Sequence, residues 1–206
     1  MKKWFIALLA SVTLPLLVTT AQAQQFEEGV HYEVIADEGT AKPEINEFFS
    51  FYCVHCFRFE PIAKAMKERF PDAFTKTHIN PGQGVIQTMA QAYAYAKKLG
   101  KDEEIGAAVF DYNFVKRNML ETEEDIRNVF ILHDVSGEDF DKAMSSFSIR
   151  AAANKMQQLG QKYDITATPT FVVNGKYKMK VEGFRESENF AEDWIALADY
   201  LLNKDS

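Results

Sequence analysis

Between residues 84 and 160 the chain keeps a helical spacing of apolar residues and shows no strand signal, yet strand signals lie on both sides of it. Val85, Ile86, Met89, Ala92, Tyr93, Ala96 and Leu99 fall on one helical face, and Gly100 stops that helix. Asp102 is placed to cap a second helix, with Ile105, Val109 and Tyr112 on its buried side. Thr122 with Asp125, and Ser136 with Asp139, have the spacing of capping boxes. The first opens a helix carrying Ile126, Val129 and Phe130, the second one carrying Phe140, Met144 and Phe147. A further helix is expected near 149–163. A chain that interrupts strands with such a block must insert a helical unit into a sheet-bearing one.

The flanks read as the two halves of that sheet-bearing unit. Ile45 to Phe51 is apolar and too short for a helix, so a buried strand is expected. Cys53 to Phe70 follows with Phe59, Ile62, Ala63, Met66 and Phe70 at helical spacing, and Pro61 is expected to kink it. Phe74 to Ile79 gives a second strand, making a βαβ opening. Beyond the helices, Thr170 to Val173 is a strand, Asn174-Gly175 a hairpin signal, and Lys176 to Met179 its return strand. Ser187 starts a last helix with Phe190, Trp194, Leu197 and Leu201 inward. The fold class is α/β. The expected division is one discontinuous domain, 24–83 with 161–206, and an inserted helical domain, 84–160.

The first 23 residues stand apart. Lys2 and Lys3 precede an apolar run from Trp4 to Val18, and Ala21-Gln22-Ala23 is a small-x-small cleavage site. This is the pattern of a secretory signal peptide, the run being short for a membrane span of about 20 residues. Its loss leaves 21 basic against 30 acidic residues, a charge of −9 in place of −7. So acidic a chain lacks the basic face that nucleic-acid binding needs. The 17 Phe and 8 Tyr exclude a disordered chain, and two cysteines cannot build a disulfide scaffold or a four-cysteine zinc site. An exported chain works where disulfides persist.

Both cysteines lie in Cys53-Val54-His55-Cys56, at the junction of a strand and a helix. Unpaired N–H groups and the positive dipole end of a helix start favour an anion there, such as a Cys53 thiolate. His55, when protonated, adds positive charge and lowers a thiol pKa further. Cys56, one turn in, is expected to be more buried. An exposed, acidic thiol beside a buried resolving one is what disulfide exchange requires. Two other readings compete: half of a zinc site completed by His55, His78 or carboxylates, and an inert structural bridge. The second adds little, because so small a loop restricts the unfolded chain only slightly.

Phe48-Phe49-Ser50-Phe51-Tyr52-Cys53-Val54-His55-Cys56, Thr168-Pro169 and Val173-Asn174-Gly175-Lys176-Tyr177 resemble the DsbA family of periplasmic thiol:disulfide oxidoreductases. The resemblance covers essentially the whole chain beyond the leader. It implies a thioredoxin-like fold with an inserted helical domain and donation of a disulfide to newly secreted proteins. It also implies reoxidation by a quinone-linked inner-membrane oxidase of the DsbB type, and no cofactor beyond the Cys53–Cys56 disulfide. Cys53 matches the exposed nucleophile, Cys56 its buried partner, and His55 the histidine that helps stabilise the thiolate. Pro169 matches the cis-proline facing the site, and with Thr168 it would offer backbone groups to an extended substrate segment. Glu47 and Lys76 match a buried acid–base pair beneath the cysteines, with a proton-relay role. Val54 stands where a proline is usual, and Thr168 where an apolar residue is. Lys180 and Asn189 fall near a groove that is more apolar or neutral in better-known members. His31 and His133 are read as surface or packing residues and His78 as structural.

The resulting expectation is a monomeric periplasmic dithiol oxidase without a metal. A reductase or isomerase is the rival within enzymes, separated from it by reduction potential. A non-catalytic chaperone or peptide-binding module with an inert bridge is the rival outside them. A Cys53→Ser protein that still supports disulfide formation would favour the module.

Overall fold

The structure, a computed structural model, describes residues 26–79 and 84–205, so the expected signal peptide lies outside the described residues. Among the described residues the sheet has five strands: β1 (Tyr32–Val34), β2 (Ile45–Phe49), β3 (Phe74–His78), β4 (Thr170–Val173) and β5 (Tyr177–Met179). Their order across the sheet is β1-β5-β4-β2-β3. Among these five strands β2 and β3 pair in parallel and the other neighbours antiparallel. A parallel pair needs a crossover, and α1 (Val54–Arg69) supplies it. This is a thioredoxin-like α/β fold.

All five β2 residues are buried, the apolar Ile45, Phe48 and Phe49 together with the polar Asn46 and Glu47. The strand ends at Phe49, two residues short of the expected bound, because Ser50 to Tyr52 form the turn into α1. β1 carried too few apolar residues to signal itself; it is held at the edge by antiparallel pairing with β5. Asn174 (φ 51°) and Gly175 (φ 61°) both take left-handed backbone between β4 and β5, the geometry behind the Asn-Gly signal. α1 continues through Pro61 without a break.

Among the described residues five α-helices come between β3 and β4: α2 (Val85–Leu99), α3 (Asp102–Phe110), α4 (Glu123–Leu132), α5 (Gly137–Met144) and α6 (Phe147–Lys162). Gly100 ends α2 at φ 68°, a conformation glycine adopts without strain. The Thr122–Asp125 capping box forms with both of its hydrogen bonds, and the Ser136 side chain accepts from Asp139 N–H. Asp102 is the first residue of α3 rather than its cap. There it adds negative charge at the positive helix end. α3 runs directly into a π-helical turn, Asp111–Val115. Within that turn Asn113 is buried and Tyr112 only half-buried; Asn113 lies four residues after Val109 and three after Phe110, on the face those two bury. α7 (Phe190–Asn203) starts three residues later than expected, capped by Asn189, with Ser187 Oγ donating to Asp193 at 2.6 Å.

Two large cores result. Ile45, Met66, Phe74, Phe171, Trp194, Leu197 and Leu201 fill the space between the sheet, α1 and α7. Each such side chain contributes about 1.5–3 kcal/mol on burial. The second core belongs to the helices, but Phe49, Phe51 and Cys56 are part of it. The end of β2 and the start of α1 are therefore packed inside the helical block.

Candidate active site

Cys53 is the N-cap of α1, in extended backbone, and its Sγ accepts from Cys56 N–H at 3.4 Å. As a thiol it also donates to the Thr168 carbonyl, at 3.2 Å. Burial opposes its ionisation, but hydrogen bonds from the Thr168 side chain and from the N–H groups of Cys56 and His55 outweigh that, and hold the thiol below its ordinary value. Cys56 is fully buried, and its Sγ accepts from Ser50 N–H at 3.4 Å. Burial pushes its thiol well above the ordinary range. Both cysteines are free thiols here. One sulfur is thus poised to ionise and the other to stay protonated.

Of the remaining anticipated residues, Thr168, His55 and Val54 lie beside this pair, whereas Lys180, Asn189, His133 and His31 are engaged elsewhere. The Thr168–Pro169 bond is cis, bringing the Thr168 carbonyl to Cys53. His55 meets Cys53 through its backbone N–H, with its side chain on the exposed first turn of α1. Val54 is 38% exposed beside it. Lys180 is drawn away to the Gly29 carbonyl at 2.6 Å, and Asn189 is spent on capping α7. His133 sits on Glu104 at 2.8 Å, and His31 packs edge-on to Phe26. Among the described residues no group of three or more His, Cys, Asp or Glu is placed to hold a metal ion.

Glu47 and Lys76 face each other across β2 and β3, with Nζ 3.4 Å from Oε2 but outside hydrogen-bonding geometry. Lys76 also contacts the Glu60 carboxylate and lies 4.4 Å from the centre of the Phe49 ring. Burial raises the Glu47 carboxyl to about 7 despite the Lys76 charge. The two carboxylates overcome the burial of Lys76 and hold its ammonium above the ordinary value. Glu60 was not anticipated, although it stands four residues after Cys56 and so shares its face of α1.

His78 also does more than fill space. It is fully buried, its Nε2 accepts from Phe51 N–H at 3.4 Å, and burial drives its pKa down to about 3. That acceptor role assigns the ring proton to Nδ1.

A family model described as a DSBA-like thioredoxin domain matches residues 65–194. The chain belongs to the DsbA-like thioredoxin-domain family. Thiol:disulfide interchange protein DsbA of Yersinia pestis is 32% identical over 99% of this chain and all of that protein. The DsbA of Escherichia coli strain K12 is 30% identical over the same shares of the two chains. The crystal structure of DsbA from Klebsiella pneumoniae superposes with a TM-score of 0.79 at 29% identity, covering 88% of this chain and all of that one. A DsbA of Proteus mirabilis, solved with a non-covalently bound peptide PWATCDS, gives 0.76 at 27% identity, over 86% of this chain and 98% of that one. The family model starts after the cysteines, but these whole-chain matches span them. The chain is accordingly a DsbA-family thiol:disulfide oxidoreductase.

Glu47 gives this family member a stability that depends on pH. A carboxyl whose folded pKa is raised adds stability in full below its unfolded value, near 4, and loses it as pH rises through the folded one, about 7. In the oxidised protein, Glu47→Gln is expected to match the wild type near pH 4 in urea melts. At pH 8 it should exceed it by roughly 3 kcal/mol, the equivalent of the shift from 4.5 to about 7. A wild type at least as stable as the variant at pH 8 would show that Lys76 fully offsets the buried charge.

Proposed function

We propose that the oxidised chain donates its Cys53–Cys56 disulfide to newly secreted proteins in the periplasm. A substrate thiolate attacks Cys53 Sγ, the Cys53–Cys56 bond breaks, and Cys56 leaves and takes up a proton. The substrate's second thiolate attacks the substrate sulfur of the mixed disulfide, a new substrate disulfide forms, and Cys53 leaves as the thiolate. Two electrons pass from substrate to enzyme. The observation that carries this direction is the contrast between the two sulfurs: a half-exposed Cys53 with a lowered pKa and a fully buried Cys56 with a raised one. A stable leaving thiolate favours the reduced enzyme and therefore substrate oxidation.

In this reading Thr168 and Pro169 form the loop against which an extended cysteine-bearing segment lies. The cysteine-containing peptide bound to the Proteus mirabilis relative supports a peptide segment as the partner. His55 adds positive charge near the thiolate when protonated. Glu47, titrating close to neutrality above Lys76, is the group suited to relay the Cys56 proton. The strand-bearing domain carries the sulfurs, and the inserted helices, which run to the end of α6 at Lys162 rather than stopping at 160, pack against Cys56 and Cys53. Periplasmic location rests on the leader sequence. Reoxidation falls to a quinone-linked membrane oxidase of the DsbB type, which accepts the two electrons.

Equilibration with glutathione tests the reading. The Cys53–Cys56 couple is expected to be more oxidising than a thioredoxin-like reductant by at least 100 mV, on a scale where reductants lie at about −270 mV and strong oxidants at about −120 mV. The oxidised chain should convert a reduced secreted protein to its disulfide form one for one. A couple near −270 mV would make the protein a reductase.

A further inference from the structure

The peptide just ahead of Cys53 is held from two sides. β2 has ended, so the Phe51 N–H and C=O have no strand to pair with. His78, from β3, takes the N–H, and Asn113 Nδ2 donates to the carbonyl at 2.9 Å. Asn113 Oδ1 in turn accepts from Leu120 N–H at 2.9 Å, and Tyr52 Oη donates to the Leu120 carbonyl at 2.9 Å. Asn113 is 3% exposed and stands in the π-helical turn. The ring of Phe51 is meanwhile gripped by Phe110 at 4.9 Å and by the His78 ring stacked at 5.3 Å.

We propose that Asn113 is a positioning residue for disulfide exchange, fixing the Phe51 peptide so that the start of α1 aims its N–H groups at the Cys53 sulfur. The inference rests on the reading of Cys53 as the exchanging sulfur. Asn113 touches no reacting atom; it acts through the Phe51 carbonyl. An amide that only filled the core would leave the chemistry of the sulfur untouched when removed. One that sets the direction of the Cys56 and His55 N–H groups changes how well the thiolate is held, and with it the redox equilibrium. π-Helical turns such as the one carrying Asn113 recur at functional sites.

Asn113→Ala is expected to weaken Cys53 acidity, read by thiolate absorbance against pH. It should also move the equilibrium constant with glutathione about tenfold toward the disulfide, equivalent to roughly 30 mV. Ile126→Val, in the same helical core but on α4 and with no hydrogen bond to the Phe51 peptide, serves as the control. It should lower stability while leaving both readouts where they are. An Asn113→Ala protein with wild-type acidity and potential, or an Ile126→Val protein with equal shifts, would overturn the proposal. Should Asn113→Ala not fold, nuclear magnetic resonance of the wild type decides. The Asn113 carboxamide and the Leu120 N–H signals should move between oxidised and reduced protein, and unmoved signals would overturn the proposal. A wild type in which Cys53 neither ionises early nor exchanges would instead remove the underlying reading of the site.

Discussion

Replacing Cys56 with alanine is expected to give a protein that reacts once and stops. Cys53 keeps its N-cap position, its N–H donors and its partial exposure, so it still attacks disulfides. What is lost is the neighbouring thiol that resolves the adduct. Mixed disulfides should therefore accumulate on Cys53, approaching one per chain when the variant meets an excess of a small disulfide. Catalytic oxidation of a reduced protein should fall to the uncatalysed rate, because no internal disulfide can form. The reciprocal Cys53→Ala variant should stay almost unmodified at neutral pH, since Cys56 is fully buried and burial keeps its thiol protonated. Mass spectrometry of both variants after a timed pulse of oxidised glutathione gives the comparison. Equal adduct yields on the two would contradict the division of labour between the sulfurs.

The second expectation concerns the difference in stability between reduced and oxidised protein as pH varies. Groups common to both forms cancel, leaving the two thiols. Cys53 has a folded pKa below its unfolded value of about 8.5. Its contribution is complete above the unfolded value and is lost as pH falls through the folded one. Cys56 has a raised folded pKa, so its contribution is complete below about 8.5 and is lost as pH rises above that. The reduced form should accordingly gain on the oxidised one up to about pH 8.5 and then lose ground. Each limb is limited to about 1.4 kcal/mol per pH unit, the value for one proton. Against this stands a pH-independent advantage of the disulfide of only ~2 kcal/mol for a loop of about four residues. Denaturant melts of both forms between pH 5 and pH 10 trace the curve. A difference that stays flat would mean that neither thiol is perturbed by the fold.

The sulfur pair was legible in the sequence because its chemistry depends on local features: a strand ending, a helix beginning, and two cysteines three apart. The capping box at Thr122–Asp125 and the Asn174-Gly175 turn were legible for the same reason, each being written within four residues. The residues that escaped are those whose role is created by packing. Glu60 meets Lys76 only once α1 lies across β3. Asn113 was concealed because a polar residue between the aromatic Tyr112 and Phe114 carries no core signal in the sequence, although it falls on the face of Val109 and Phe110. His78 read as core, which it is, but its bond to Phe51 needs the parallel register of β2 with β3. β1 carries no pattern of its own, being three residues long and ordered by pairing with β5.

The sharing of Phe49, Phe51 and Cys56 between the sheet unit and the helical core bears on how such proteins can be recombined. The helices are contiguous in the chain and look like a cassette that could be cut at its two ends and exchanged between relatives. The boundary in space lies elsewhere. A graft of the helices alone would set foreign partners against the Phe51 ring and the Phe51 carbonyl, and so disturb the sulfurs without altering a residue near them in the chain. A working chimera has to carry the segment from Phe49 to Phe57 along with the helices, making the cysteine motif part of the transplanted piece.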